Sequence, residues 1–372
     1  MSNPRRGLLA AGLAAAVVGS LGVFSTMNAA ADETPAAPAV VEDPLGPVSP
    51  GLLTPPPLLP SGEKPSPVKV GKAGASSEEL AATGADVAPN TANEPEHPQA
   101  GYYIKGFNTG KKRKFRGTKR QTTDVVPPAP PVVQADTAPP PKVRNVKFQY
   151  AGAYQFAEAD GSYANLVVAK PSLNVNEFHT LAEIAVESAD QQQTVEVGWT
   201  VDRSLNKGDT DPHFFVYHWV DDETSCYNAC GWVQYSKNVQ PGDILPTGSK
   251  RFGIVRSASA WWINYDTEWI GYFPDTLWDG RYKKAGLVQW FGEVASKSTD
   301  PCSDMGTGKD AGDEGAARFG TIALVNGPDV ALTYDVSGKD EYGKAIPGTY
   351  SAKGLSPTTL RYGGPGAECA DD

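Results

Sequence analysis

The chain has 372 residues and a formal net charge of -10, with 20% of its residues charged. A chain this acidic lacks the basic excess with which a general nucleic-acid binder neutralises phosphates, so that class is excluded. The length allows roughly two or three domains.

The N-terminus has the features of an export signal. Arg5 and Arg6 precede an apolar stretch over residues 7–24, and residues 29–31 are three alanines that offer a cleavage site before Asp32. We therefore expect a signal peptide over residues 1–31, a secreted protein, and no membrane association after cleavage. An uncleaved anchor is the alternative, and export by the general or the twin-arginine route is left open.

Residues 32–142 are Pro/Ala-rich and poor in aromatic residues. Proline clusters at residues 55–57, 127–131 and 139–141 block helix and sheet interiors. Such a stretch buries too little apolar surface to offset its ordering entropy, so we predict an irregular, removable pro-segment and linker. The basic run at residues 111–114 fits either a contact with an acidic surface or a linker prone to processing.

From residue 143 to the end, short runs of β-branched and aromatic residues alternate with Gly, Asp, Asn, Ser and Pro clusters. Strands are predicted over residues 146–150, 163–169, 178–186, 195–201, 214–220, 231–235, 252–255, 260–265, 287–294, 321–325 and 330–334. Residues 275–285 are the best candidate for a short helix. This pattern indicates one all-β domain over residues 143–372, built as an antiparallel β-sandwich.

Two of the predicted strands carry a glutamate on the face away from the core. In residues 194–201, Glu196 shares its face with Gly198, which leaves room above it. In residues 287–294, Glu293 shares its face with Gln289 and Phe291. Two carboxylates on one sheet surface suit acid/base hydrolysis, whereas the alternative is two ordinary solvated glutamates.

Other catalytic signatures are absent from the sequence. There is no His-Glu-x-x-His motif and no Gly-x-Ser-x-Gly motif, and the spacing of His213 and His218 fits no metal-ligand pattern. We therefore expect no metal and no cofactor. Contacts with substrate are expected from side chains on or near the two strands: Trp199, Tyr217, Trp219, Gln289 and Phe291.

Six blocks resemble the neprosin family in order and spacing. They are residues 194–199, 214–219, 226–234, 260–263, 270–274 and 290–294. The resemblance implies a secreted glutamic endopeptidase made as a precursor, with a concanavalin-like β-sandwich, a preference for cutting after proline, and work at acid pH. It assigns the two catalytic glutamates to Glu196 and Glu293. The sequence departs from the family at Phe291, which replaces a glycine and is expected to narrow the cleft.

The cysteines fit an exported chain with two disulfides. Cys226 and Cys230 lie in one of the family blocks and are expected to pair with each other, which leaves Cys302 and Cys369 as the second pair. A different pairing of the same four is the alternative.

The expected partners are proline-containing peptides or proteins, and the expected state is a monomer. Self-cleavage after proline is expected at residues 128–129, 131–132 or 141–142, in a stretch that a protease can reach. Two other functions remain open, a carbohydrate-binding sandwich and a glycoside hydrolase that uses the same carboxylate-lined cleft.

Overall fold

The computed structural model describes residues 53–68, 126–131, 146–206, 208–339 and 345–368. All of them belong to one compact unit, Pro44–Asp372. The predicted signal peptide and the basic run at residues 111–114 lie outside the described residues. Within the described parts, no helix is long and apolar enough to cross a membrane.

The fold is a sandwich of two eight-stranded antiparallel sheets, with strands numbered in chain order, which confirms the all-β prediction. In spatial order the first sheet contains β14 (Ala345–Ile346), β13 (Thr333–Lys339), β1 (Lys147–Ala159), β11 (Ala285–Ser296), β3 (His179–Glu187), β4 (Thr194–Val201), β5 (His213–Val220) and β6 (Glu223–Thr224). The second contains β15 (Ser351–Ser356), β16 (Thr359–Gly363), β12 (Ala317–Leu324), β2 (Gly161–Val168), β8 (Gly248–Ser257), β9 (Ala260–Tyr265), β10 (Glu268–Pro274) and β7 (Val233–Gln234).

The main core lies between the sheets and follows the alternation of the strands. Phe214 of β5 stacks on Phe252 of β8 at 6.0 Å, so the two sheets contact each other through aromatic rings. Burying one such side chain contributes about 1.5–3 kcal/mol. Trp261 and Trp290 are also fully buried in this core.

The predicted helix over residues 275–285 is only a single 3₁₀ turn, Asp275–Trp278. It ends because Asp279 adopts a left-handed conformation with φ 51°, followed by Gly280 with φ 68°. β11 then begins at Ala285. The predicted strand at residues 231–235 is reduced to the two residues of β7, and the one at residues 330–334 is displaced to β13.

Two stretches of the predicted pro-segment pack on the sandwich without forming strand or helix. Residues 53–68 cover the outer face of the second sheet, where Leu59 is 3% exposed beside Trp262 and Trp269. Trp269 Nε1 donates a hydrogen bond to the Pro56 carbonyl at 3.0 Å. Residues 126–131 lie on the first sheet, where Val126 is fully buried. The expectation that this composition buries little apolar surface is therefore wrong for these two stretches.

Candidate active site

The two glutamates emerge from the outer face of the first sheet, on the strands that flank β3. Glu293 of β11 lies opposite Leu181 of β3, and Glu196 of β4 lies opposite Ala185. The two acids are thus separated by one strand and staggered by four residues along it. Both are fully buried, which is incompatible with a pair of solvated strand glutamates.

Glu196 is held by the neighbouring strand β5. Trp219 Nε1 donates to Glu196 Oε1 at 2.7 Å, and Tyr217 is the residue directly opposite Glu196. Burial, and then the charge of Glu196, raise the pKa of Tyr217 well above its ordinary value, so its hydroxyl stays protonated. The structure therefore places Tyr217 and Trp219 beside one of the predicted acids.

Glu293 has a partner that sequence reasoning did not select. A hydrogen bond of 2.7 Å joins Glu293 Oε1 to His179 Nε2, and the other ring nitrogen lies 3.9 Å from Asp202 Oδ2. All three side chains are fully buried. In the sequence, His179 is the second residue of the strand predicted at residues 178–186 and has the same parity as Leu181, but nothing local marks it as a neighbour of residue 293.

The site face is occupied by residues 126–131 of the same chain. The Ala129 amide donates to Glu293 Oε2 at 3.2 Å, and Tyr150 Oη donates to the Ala129 carbonyl at 2.7 Å. The peptide bond between Pro128 and Ala129 therefore has its nitrogen beside a predicted catalytic acid.

Two further side chains hold the ends of this stretch. Tyr227 Oη donates to the Val126 carbonyl at 3.1 Å, and Gln289 Nε2 donates to the Pro131 carbonyl at 3.1 Å. Gln289 also bonds to the Glu187 carboxylate. Three carbonyl groups of this stretch thus accept hydrogen bonds from the domain.

The two tyrosines are suited to donate because they remain neutral. Burial, together with nearby carboxylates that include Glu293, raises the pKa of Tyr150 and of Tyr227 well above the ordinary tyrosine value. Neither residue was selected from the sequence. Tyr227 lies inside the loop closed by Cys226 and Cys230, which places its ring near the site.

That disulfide, Cys226–Cys230, is formed as predicted. Cys302 is also disulfide-bonded, and its expected partner Cys369 lies outside the described residues.

Phe291 lies on the Glu293 face, as its parity predicted. It shares an apolar cluster with Val126 and Ala129, and its ring meets Tyr150 edge-on at 5.8 Å. The side chain that replaces the family glycine therefore packs against the bound stretch.

Two sequence-based expectations need correction at β4. Trp199 lies in the core between the sheets, where its Nε1 donates to the Val167 carbonyl at 3.1 Å, so it does not line the site. Its odd parity puts it on the face opposite Glu196. The expected room above Gly198 is also absent, because a Cβ there would lie 2.8 Å from the Glu183 Cβ and 2.1 Å from the Ala182 oxygen.

The histidines weighed as metal ligands have other surroundings. His213 bonds to the Gly242 carbonyl at 2.7 Å and to Asp209 at 3.0 Å, whereas His218 packs against Phe273 and Trp278. Among the described residues, no group of three or more His, Cys, Asp or Glu side chains is arranged to hold a metal ion.

Comparison with known families identifies the chain. The Neprosin family model matches residues 176–365, slightly more than half of the sequence and including both glutamates. The chain belongs to the Neprosin family. Membership of this family supports a peptidase of the glutamic type, and the peptide that occupies the site face agrees with it.

Solved structures of glutamic peptidases are similar to part of this chain. Scytalido-glutamic peptidase with a transition-state analogue inhibitor matches at TM-score 0.37 and 10% identity, over 59% of this chain and 99% of that chain. SCP-B, a member of the Eqolisin family of peptidases in complex with the tripeptide Ala-Ile-His, matches at TM-score 0.33 and 10% identity with the same coverage.

Proposed function

We propose that this Neprosin-family chain is the secreted precursor of an endopeptidase that cuts after proline at acid pH. The observation that carries the proposal is the 3.2 Å hydrogen bond between the Ala129 amide nitrogen and Glu293 Oε2. That nitrogen follows Pro128, so the chain presents its own post-proline bond to the acid.

In this proposal the two glutamates divide the work. Glu293, beside the amide nitrogen, gives that nitrogen a proton as the carbon–nitrogen bond breaks. Glu196, held by Trp219, takes a proton from the water that attacks the proline carbonyl carbon. Tyr150 anchors the carbonyl on the far side of the cut and fixes the register of the chain.

Acid pH supports this chemistry for two reasons. Several carboxyl groups in one buried site cannot all ionise without mutual repulsion, and the active form must contain one protonated acid. Protonation of Glu293 also removes the charge that strengthens its hydrogen bond from the Ala129 amide. Acid therefore weakens the binding of the pro-segment and also protonates Glu293, the form in which Glu293 can donate a proton to the leaving nitrogen.

The pro-segment serves in this scheme as both inhibitor and first substrate. Pro128 and Ala129 are buried on the site face, so the earlier expectation of an openly accessible bond is wrong for this one. A competing substrate cannot reach Glu293 until this stretch leaves. Of the expected mature N-termini, Ala129 is the one whose amide contacts a catalytic residue, while Val132 and Lys142 lie outside the described residues.

The test uses purified precursor brought to acid pH with and without a chelator. We expect a new N-terminus at Ala129, and the processed protein should cut a proline-containing peptide after proline in a mass-spectrometric assay. Glu196→Gln and Glu293→Gln precursors should each lose about two to four decades of rate, the usual contribution of one acid/base group. Circular dichroism of each variant checks that its fold is retained.

Three results would contradict the proposal. They are equal shortening of the Glu293→Gln precursor, a new end within residues 111–120, and inhibition by the chelator. Secretion is tested separately, by sequencing the protein recovered from culture medium, where Asp32 is the expected first residue.

A further inference from the structure

A third carboxyl group lies between the two proposed catalytic acids. Glu183 of β3 is opposite Phe291 of β11 on one side and opposite Gly198 of β4 on the other. It is therefore one strand across and two residues along from both Glu293 and Glu196. Diagonal neighbours of this kind lie about 7–8 Å apart at the backbone, within reach of long side chains.

The environment of Glu183 differs from that of an ordinary buried acid. Its side chain is fully buried, and neither carboxyl oxygen has a hydrogen-bond partner among the described residues. A charged carboxylate without partners is costly in such a place. Burial, and then the charges of Glu196 and Glu293, raise the pKa of Glu183 well above its ordinary value, so it holds a proton where a solvated glutamate would not.

Glu183 also lies within electrostatic reach of the side chains that hold the peptide. In its ionised form it contributes to the raised pKa of Tyr150 and of Tyr227, the two hydroxyls that donate to the carbonyls of residues 126–131. The third carboxyl thus lies on the site face, not in the core between the sheets.

We propose that Glu183 passes the proton between Glu196 and Glu293 and so resets the site after each turnover. The inference rests on the proposed function. During one cut, Glu196 gains a proton from water and Glu293 gives one to the leaving nitrogen. Once residues 126–131 have left, Glu183 gives its proton to Glu293 and takes the one on Glu196 through intervening water, because its carboxyl oxygens bond to neither acid directly, and all three groups are restored. Because Glu183 acts through its neighbours and its carboxyl oxygens make no hydrogen bond to residues 126–131, it is a positioning residue.

A purely structural role for Glu183 and a role in proton transfer predict different results for the Glu183→Gln substitution. The amide keeps the shape, neutrality and donor capacity of a protonated glutamate, so a merely structural residue would be replaced without effect. Loss of the proton path should lower kcat about 10- to 100-fold and leave KM unchanged, a scale typical of a proton-transfer group. The alkaline limb of the pH–rate profile should also move to lower pH, because one proton-holding group is gone.

The experiment measures kcat, KM and the pH profile of acid-processed protein, with processing confirmed by N-terminal sequencing. Glu223→Gln is the matched control, since Glu223 lies on the edge strand β6 of the same sheet, away from the diagonal. Glu183→Asp keeps a titratable group and should restore the alkaline limb while kcat stays reduced.

A Glu183→Gln protein with the same kcat and the same pH–rate profile as the wild-type protein would overturn the inference and leave the proposed function in place. If the Glu183→Gln protein does not fold, the Glu183→Asp protein tests the relay instead. A reduced kcat together with the wild-type alkaline limb of the pH–rate profile supports the relay, and a wild-type kcat overturns it. Absence of peptide cleavage by the wild-type protein would overturn the proposed function and the inference together.

Discussion

At the scale of single residues, the site is defined by the partners of the two glutamates. Alternation alone put Glu196 and Glu293 on the face away from the core, and the structure agrees. Alternation could not show that Trp219 and His179 bond to them, because those contacts join positions 23 and 114 residues apart. Glu183 was missed for a related reason: its strand was predicted, but its position between two other strands depends on their register.

Trp219→Phe is expected to lower kcat/KM about 10- to 100-fold, because a hydrogen bond to a charged group is worth about 1.5–3 kcal/mol. The indole N–H that donates to Glu196 is lost while an aromatic ring remains. Trp262→Phe is the matched control, since the buried Nε1 of Trp262 has no partner in the described structure. Equal activity in the two variants would show that the Trp219 contact is not used in catalysis.

His218 should make the sandwich less stable in acid. Its ring is buried against Phe273 and Trp278, and desolvation lowers its pKa from 6.5 to about 3. Between those values the unfolded chain takes up a proton that the folded one does not. Stability is therefore lost as pH falls through this window, by up to about 1.4 kcal/mol per pH unit.

His218→Phe should consequently narrow the difference in melting temperature between pH 7 and pH 4. The measurement is made in a Glu293→Gln background, so that self-cleavage does not interfere. If the difference in melting temperature is as large as in the Glu293→Gln protein that retains His218, the His218 ring is protonated in the folded state.

At the scale of elements, strand prediction succeeded even where the periodicity was ambiguous. The strand predicted at residues 178–186, with apolar residues at both helical and strand spacing, corresponds to β3 (His179–Glu187), which lies between the two acids. The strands β15 and β16 were not predicted, because residues such as Ser351–Ser356 are small and polar and gain their order from neighbouring strands. The predicted helix failed because Asp279 and Gly280 turn the chain after one 3₁₀ turn.

The spacing of β3 and β4 at the site depends on Gly198. A Cβ at this position would meet the Ala182 oxygen at 2.1 Å and the Glu183 Cβ at 2.8 Å, both on β3. Gly198→Ala should therefore push the strands apart and destabilise the fold by about 1–3 kcal/mol, as overpacking does. It should also displace Glu183 and lower activity.

Gly320→Ala provides the comparison, because the nearest atoms to a Cβ there belong to Thr359 at 3.9 and 4.0 Å. Denaturant unfolding gives the two stabilities, and a peptide assay gives the activities. A Gly198→Ala protein as stable and active as Gly320→Ala would contradict the close approach of the two strands.

At the scale of the whole molecule, the two described stretches of the proposed pro-segment contact the outer faces of the two sheets. Composition predicted its irregular backbone, but not its contacts, because the apolar surface is supplied by strands far away in sequence. Residues 53–68 add polar anchors to the contacts of Leu59: the Ser66 amide donates to the Thr267 carbonyl at 2.7 Å, and the Val68 amide donates to Glu268 at 2.8 Å. Arg251 also bonds to Glu63.

The contacts of residues 53–68 should keep this part of the proposed pro-segment bound to the domain after the chain is cut between residue 68 and residue 126. In a Glu293→Gln precursor with a site-specific protease sequence inserted after residue 80, cleavage should leave the fragment with residues 53–68 bound during size-exclusion chromatography. Adding Trp269→Phe, which deletes the donor to the Pro56 carbonyl, should increase the free fraction. If the fragment elutes separately from the domain in which Trp269 is retained, the contacts of residues 53–68 are not sufficient to hold it.

The place of residues 53–68 also gives the proposed maturation an optical signature. Trp262 and Trp269 are fully buried in the cluster that contains Leu59, whereas Trp199, Trp261, Trp278 and Trp290 are enclosed between the sheets. An indole that passes from apolar contact into water emits at longer wavelength. Departure of residues 53–68 should therefore shift the emission of Trp262 and Trp269, while the four tryptophans between the sheets keep theirs. N-terminal sequencing then measures when the bond between residues 128 and 129 is cut. Tryptophan fluorescence measures when residues 53–68 leave the domain, so the two events can be timed separately in one acidified sample.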